Sequence, residues 1–190
     1  MRVTRNSDGS AKDAAAPGPL ERLKECHARI RHFMQLSRTL AETKDIPLVE
    51  ITHAAADIFR FFSHALPQHE ADENESVFPR LRDALPQGGL VREAAEAMVE
   101  QHHAIDELVE ELLSLCAPLR RRPEHLPGLA HRLQHVTSAL DLVFAAHLLL
   151  EESVVFPAIP LLLTRAQLRE MSCEMQRRRQ PQVGTIHLVQ

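Results

Sequence analysis

The chain has 190 residues and a mass of 21.4 kDa, a length that fits one domain with short appendages. Its 22 basic and 26 acidic side chains leave a formal net charge of −4, which argues against non-specific binding to nucleic acid. Six glycines with neither tryptophan nor tyrosine favour helices over sheet, whereas twelve histidines are unusual and call for an explanation.

Apolar residues recur at helical spacing along most of the chain. The pattern predicts a disordered tail over residues 1–18, long helices over 20–43, 47–82, 90–117 and 128–162, a short fifth helix over 164–179, and a loose tail over 180–190. Pro67 falls inside the second helix, where its missing N–H predicts a kink or a restart. Thr164 and Gln167 form a capping-box pattern at the start of the fifth helix.

Four long helices joined by short connections are typical of one architecture. Each predicted helix carries a single apolar stripe, which it buries most economically against three neighbours. We therefore predict an all-α fold, an up-down-up-down four-helix bundle with a short C-terminal fifth helix, over residues 19–179.

The cysteines and the apolar segments indicate the compartment. Cys26, Cys116 and Cys173 are widely separated and form no CxxC motif, so we expect reduced thiols in the cytoplasm. The polar N-terminal residues lack the apolar segment of a signal peptide. Residues 154–163, the most apolar stretch, contain two prolines and are too short to span a bilayer. We expect neither a membrane nor a nucleic-acid partner.

A short pattern occurs twice along the chain. Histidine, then glutamate four residues later, then Val-Phe-Pro, is found at residues 69–79 and again at 147–157. A weaker echo, His-x-x-Ile, precedes each copy and begins at His27 and at His102. The chain therefore reads as two equivalent helix pairs, each with one histidine on its first helix and His-xxx-Glu on its second.

This spacing predicts a metal site. Residues four apart share one face of an α-helix, so each His-xxx-Glu pair aims at one point, and the bundle brings both pairs together. A lone histidine on an apolar stripe is usually a core residue, but two unpaired buried carboxylates would each cost several kcal/mol unless a cation neutralised them. Nitrogen and oxygen donors suit iron or manganese better than copper(I). The predicted ligands are His27, His69, Glu73, His102, His147 and Glu151.

On these residues, with the two Phe-Pro dipeptides and the ending 174–179, the chain resembles the hemerythrin-like (HHE cation-binding) proteins of the bacterial type. The resemblance covers about residues 20–179. It implies a non-heme di-iron centre in which the four histidines are terminal ligands and Glu73 and Glu151 bridge two iron ions, completed by an oxo or hydroxo bridge. Manganese or zinc would be substitutes. It also implies a small ligand, O2, NO or peroxide, that is bound or sensed by the iron.

Two departures from the oxygen-carrying members of that family stand out. Their third helix carries His-xxx-His, whereas Asp106 occupies the position four residues after His102. Their fourth helix places its carboxylate five residues after the histidine, whereas Glu151 follows His147 by four. Either Asp106 or a water would take the place of the fifth imidazole. A harder oxygen ligand favours ferric iron, which points to a sensor, a centre reactive toward peroxide or NO, or an iron store.

Two other function classes remain open from the sequence. The chain could be a di-iron oxidase or peroxidase, although it has no tyrosine for a redox relay and no acid–base group is evident outside the ligand set. It could also be a helical interaction module, with a homodimer as one form, in which the metal only stabilises the fold. His103 competes with His102 as the ligand of the third helix, and we expect it at the boundary instead.

Overall fold

The computed structural model describes residues 17–85 and 88–180. The predicted tails, residues 1–18 and 180–190, lie almost entirely outside the described residues.

The described residues form five helices and no strand. Helix α1 covers Pro19–Glu42, α3 covers Leu90–Leu119 and α5 covers Arg165–Arg178. Helix α2, residues 48–84, joins the α-helical segments Leu48–Arg60, Leu66–Asp72 and Phe78–Ala84. Helix α4, residues 126–162, joins Leu126–Leu150 to Phe156–Leu162 and follows a 3₁₀ turn at Pro123–His125.

The helices pack as a four-membered ring, with α5 added on one side. Helix α1 packs against α2 and α4, and α3 packs against α2 and α4, so that neighbours in the chain are neighbours in space. Short connections between them make consecutive helices antiparallel. Helix α5 lies across α1 and the middle of α2. The predicted all-α bundle with a short fifth helix is confirmed, and the capping box of Thr164 and Gln167 is present at the start of α5.

Both α2 and α4 contain turns of π-helix, and each turn is followed by one residue and then a proline. The π turns cover Phe61–Ala65, Glu73–Val77 and Glu151–Val155, and the dipeptides Leu66-Pro67, Phe78-Pro79 and Phe156-Pro157 follow them. Because proline has no N–H and its ring crowds the carbonyl four residues back, the wider turn lets the helix continue without a break. The kink or restart predicted at Pro67 is therefore replaced by a π turn within a continuous helix.

Two apolar clusters fill the bundle, one on each side of a buried polar layer. The larger cluster includes Ile30, Leu66 and Ile105, and the smaller one includes Leu23 and Val77. On α1, α2 and α3 the histidines of the repeat lie between residues of the two clusters, and on α4 the larger cluster extends past His147 to Leu148 before Glu151 follows. The fold therefore places the predicted donors in the interior, between two regions that exclude water.

Helix α4 is the one described helix that is long and apolar enough, by length and composition alone, to cross a membrane. It is also a core helix of the bundle: Leu133, Val136 and Leu140 on it are buried, as are His147 and Glu151. The core helix of a soluble protein passes the same test, so the apolar character of α4 is weak evidence for a membrane.

Candidate metal centre

The six predicted donors meet inside the bundle. Four helices supply them, and every one of the six residues is at most 3% exposed. They form two groups, and within each group one ligand atom per residue lies within 4.8 Å of the others. The first position is formed by His27 and His69, the second position by His102 and His147, and both glutamates, Glu73 and Glu151, belong to each position.

Each glutamate directs one oxygen to each position. At the first position, His69 Nε2 lies 3.4 Å from Glu73 Oε1, and His27 Nε2 lies 2.6 Å from Glu151 Oε2. At the second position, His102 Nε2 lies 3.2 Å from Glu73 Oε2, and His147 Nε2 lies 3.3 Å from Glu151 Oε1. A carboxylate with its two oxygens divided in this way is arranged to bridge two cations.

The π turns position both glutamates. Glu73 begins one π turn and Glu151 begins another, and their backbone carbonyls accept the N–H of Phe78 and of Phe156, each five residues later. The Phe-Pro dipeptides that follow explain this local structure, because proline lacks the N–H that an ordinary α turn needs. The repeat therefore encodes the local backbone at each carboxylate together with the ligand types.

The donor atoms are those that a cation would satisfy. Both oxygens of Glu73 and of Glu151, and Nε2 of His27, His69 and His102, are buried without a hydrogen-bond partner. Buried polar atoms normally have one, and leaving a buried carboxylate unsatisfied costs several kcal/mol. Four imidazole nitrogens and four carboxylate oxygens around a common centre fit two divalent cations with a preference for nitrogen and oxygen ligands.

The electrostatics of the layer favour neutral imidazoles. Burial, together with the neighbouring imidazoles and against the opposing effect of Glu151, lowers the pKa of His69 to about 3 and that of His102 to about 4. Burial and the adjacent Glu151 raise the pKa of Glu73 well above its usual range. Burial alone would raise the pKa of Glu151, but His27 and the other imidazoles outweigh it and hold that pKa low. Neutral imidazoles are the form that binds metal.

Two outer partners of the histidines were not predicted. His27 Nδ1 lies 2.8 Å from Glu152 Oε1, and Arg31 donates to both oxygens of Glu152 at 2.9 Å. His147 Nδ1 lies 3.0 Å from Gln101 Oε1. Glu152 and Gln101 are each adjacent in the sequence to a predicted ligand, and this adjacency is the one sequence feature that pointed to them. Helical periodicity does not predict that the side chain next to a ligand contacts a histidine on another helix.

Aromatic rings cover the same layer. Phe156 stacks on His27, with ring centroids 4.8 Å apart, and Phe78 faces His102 at 6.3 Å. The Phe of each Phe-Pro dipeptide therefore packs on the first-helix histidine of the other helix pair. The two helix pairs therefore make equivalent contacts with each other, as expected from the internal repeat.

A second buried charge lies next to Glu73 and was not predicted. Asp72 is fully buried and accepts from Arg178 Nη1 at 2.9 Å and from Arg179 Nη2 at 2.6 Å. Ser76 and Glu174 continue the contact between α2 and α5, with Ser76 Oγ donating to Glu174 at 2.6 Å. The arginines at the end of α5 thus neutralise a buried carboxylate.

The structure does not bring Asp106 into either group of donors. Asp106 is exposed on α3, and its carboxylate pairs with Glu70, whose pKa is raised to about 8 by burial and by Asp106 itself. The helical register with His102 was correct, but that face of α3 at Asp106 meets Glu70 of α2 rather than the centre. His103, which was expected at the boundary, is exposed and belongs to neither group of donors. Cys26 is buried in the core, where burial raises the pKa of its thiol to about 12, whereas Cys173 is exposed.

Comparison with known proteins gives one match. The family model of the hemerythrin HHE cation binding domain matches residues 18–116, which is 99 of the 190 residues. Neither curated proteins nor solved structures give a match. The matched range contains His27, His69, Glu73 and His102, while the donors of α4 lie beyond it and join the same two groups in space. The chain belongs to the hemerythrin HHE cation-binding family, and its bundle encloses a His/Glu metal-binding centre.

Proposed function

We propose that this protein is a non-heme di-iron protein that binds or senses O2, NO or peroxide. One observation carries the proposal: Glu73 and Glu151 each present one oxygen to each of two positions, and each position also receives two imidazoles. Two histidines with a carboxylate and open coordination sites are typical of non-heme Fe(II) centres. The family match supports a cation at this place.

The donor count favours sensing or protection over oxygen carriage. Among the described residues only four imidazoles reach the two positions, and Asp106, which stands where the oxygen-carrying members have a fifth histidine, pairs with Glu70. Each position has two nitrogen and two oxygen donors from the protein, which leaves room for an external ligand at both. A pair of ferrous ions bound here would supply the electrons for reaction with O2, NO or peroxide.

The chain's own residues would select and protect the ligand. Phe78, Phe156, Val77 and Val155 are buried around the donor layer and exclude water from it. A cavity of about 610 Å³ between α1 and α4 is lined by apolar residues that include Ile30, Met34 and Leu148 and by charged residues that include Arg38, Asp141 and Glu152, the partner of His27. In this proposal a small ligand approaches the centre past the apolar part of this lining, next to Glu152. We further propose that the protein is soluble and cytoplasmic, since its three cysteines are free, as thiols are in a reducing compartment.

The test is anaerobic purification with iron quantification, followed by exposure to each ligand. We expect two irons per chain and an absorption change that is specific to O2, NO or peroxide. The variant His102→Ala should lose iron, whereas His103→Ala, which alters the exposed neighbour, should retain two irons. Sustained turnover of peroxide would instead make the protein an enzyme. A folded wild-type chain that binds no metal would contradict the proposal and leave only an interaction module.

A further inference from the structure

Two of the four imidazoles have an acceptor on the nitrogen that faces away from the centre, and the two acceptors differ in charge. His27 Nδ1 meets the carboxylate of Glu152, and His147 Nδ1 meets the side-chain carbonyl of Gln101. In both cases the acceptor fixes the proton on Nδ1 and leaves Nε2 for a metal.

The other histidine of each position has no such partner. Nδ1 of His69 and Nδ1 of His102 are both buried without a hydrogen-bond partner among the described residues. Both positions share the same two glutamates. The two positions therefore match in donor type, and the main difference between them is one outer partner, an anionic carboxylate at the first position and a neutral amide at the second.

Glu152 is held in place as an anion. Arg31 donates to both of its oxygens at 2.9 Å, and the side chains of Arg31 and Glu152 are 53% and 37% exposed. Glu152 therefore contacts both solvent and His27. Gln101 is half-buried between α3 and α4. Neither Glu152 nor Gln101 is part of the apolar core, so we expect an isosteric exchange between Glu and Gln at either residue to leave the fold intact.

We propose that Glu152 and Gln101 make the two metal positions unequal, so that the His27/His69 position binds the first divalent cation more tightly than the His102/His147 position. The inference rests on the proposed function. A carboxylate that accepts the Nδ1 proton makes the imidazole a stronger donor than an amide does, because it stabilises the positive charge that the ring gains when Nε2 binds a cation. Glu152 and Gln101 are positioning residues, since they act through His27 and His147.

Zinc titration of the metal-free protein tests the proposal without redox chemistry. We expect two calorimetric steps for the wild type. Glu152→Gln should weaken the tighter step by about tenfold or more, within the range usual for loss of an outer partner. Gln101→Glu should strengthen the weaker step. Glu100→Gln removes a charge from the exposed neighbour of Gln101 and should change neither step.

Histidine ¹⁵N NMR assigns the steps to the positions. At one equivalent of Zn²⁺, the ring nitrogens of His27 and His69 should shift first in the wild type, and those of His102 and His147 should shift first in the double variant Glu152→Gln/Gln101→Glu. Equal wild-type steps, or weaker binding in both single variants, would overturn the inference, since a purely structural role makes both changes harmful. A wild-type chain that takes up no zinc and no iron would refute the proposed function instead.

Discussion

At the scale of single residues, the centre buries two acidic side chains without a permanently charged partner. Glu73 and Glu151 are at most 1% exposed, and no described residue with a permanent positive charge hydrogen-bonds to either. Their neighbours are imidazoles, and burial favours the neutral form of His69 and His102. Without a cation the layer therefore has two buried carboxyl groups with no permanent counter-charge, which is why burial and Glu151 raise the pKa of Glu73, and a bound cation removes this cost.

Acid should destabilise the metal-free protein through His69. Its pKa is about 3 in the folded protein and near 6.5 in the unfolded chain, so its contribution is complete above pH 6.5 and is lost as the pH falls toward 3. In EDTA, urea unfolding should show the wild type losing about 1 kcal/mol per pH unit relative to His69→Gln between pH 6 and pH 4. The curve of His103→Gln should run parallel to that of the wild type. A pH-independent difference between wild type and His69→Gln would show that His69 is not buried as a neutral ring.

At the scale of helices, α2 and α5 are joined by ion pairs and hydrogen bonds between regularly spaced side chains. Asp72, Ser76 and Arg80 lie four residues apart on α2 and meet Glu174 and Arg178 of α5. The same spacing on both helices makes a ladder of contacts directly behind Glu73. Helix α5 is therefore more than an appendage, because it neutralises the buried carboxylate of Asp72 next to a bridging glutamate.

These contacts predict a large loss of folding stability when the two arginines that pair with Asp72 are replaced. The double variant Arg178→Met/Arg179→Met leaves Asp72 buried without a counter-charge, and breaking a buried pair in this way costs about 3–5 kcal/mol. Arg177→Met changes an exposed arginine of the same helix and should stay within about 0.5 kcal/mol of the wild type. Urea unfolding measures both. A double variant as stable as Arg177→Met would show that α5 does not hold Asp72.

The π turns predict different roles for two prolines of α4. Pro157 follows the π turn that begins at Glu151, and Pro160 lies inside the last α-helical segment. Pro157→Ala restores an N–H that favours an ordinary α turn, which would rotate Glu151 and weaken zinc binding by about tenfold. Pro160→Ala should leave zinc binding unchanged and stabilise the fold, since proline in a helix interior costs up to about 3 kcal/mol. Equal zinc affinities in the two variants would contradict the positioning role of the turn.

At the scale of the whole molecule, the bundle and the convergence of the six donor side chains could be predicted from the sequence, because both follow from helical periodicity and an internal repeat, which can be read directly along the chain. Their ligation of iron stays a prediction. The sequence does not carry the π turns, since a proline marks a disturbed helix without saying whether it kinks, restarts or widens. The contacts of Glu152 with His27 and of Arg178 with Asp72 could not be predicted either, because neither pair belongs to the repeat that relates the six donors. For Asp106 the predicted helical register with His102 is present, but its side chain contacts Glu70 rather than the metal centre.

Because four helices supply the donors, metal binding should stabilise the whole bundle rather than one segment. A cation that binds only the folded state at 100 times its Kd adds about 2.7 kcal/mol, which corresponds to a rise in Tm of about 5–10 °C for a chain of this size. The Tm of the metal-free protein should therefore rise with added Zn²⁺, most steeply up to two equivalents. Glu151→Gln should abolish most of the rise, because Glu151 serves both positions, whereas Glu110→Gln on the exposed face of α3 should keep it. A rise that ends at one equivalent would mean a single cation, and an unchanged rise in Glu151→Gln would remove that residue from the centre.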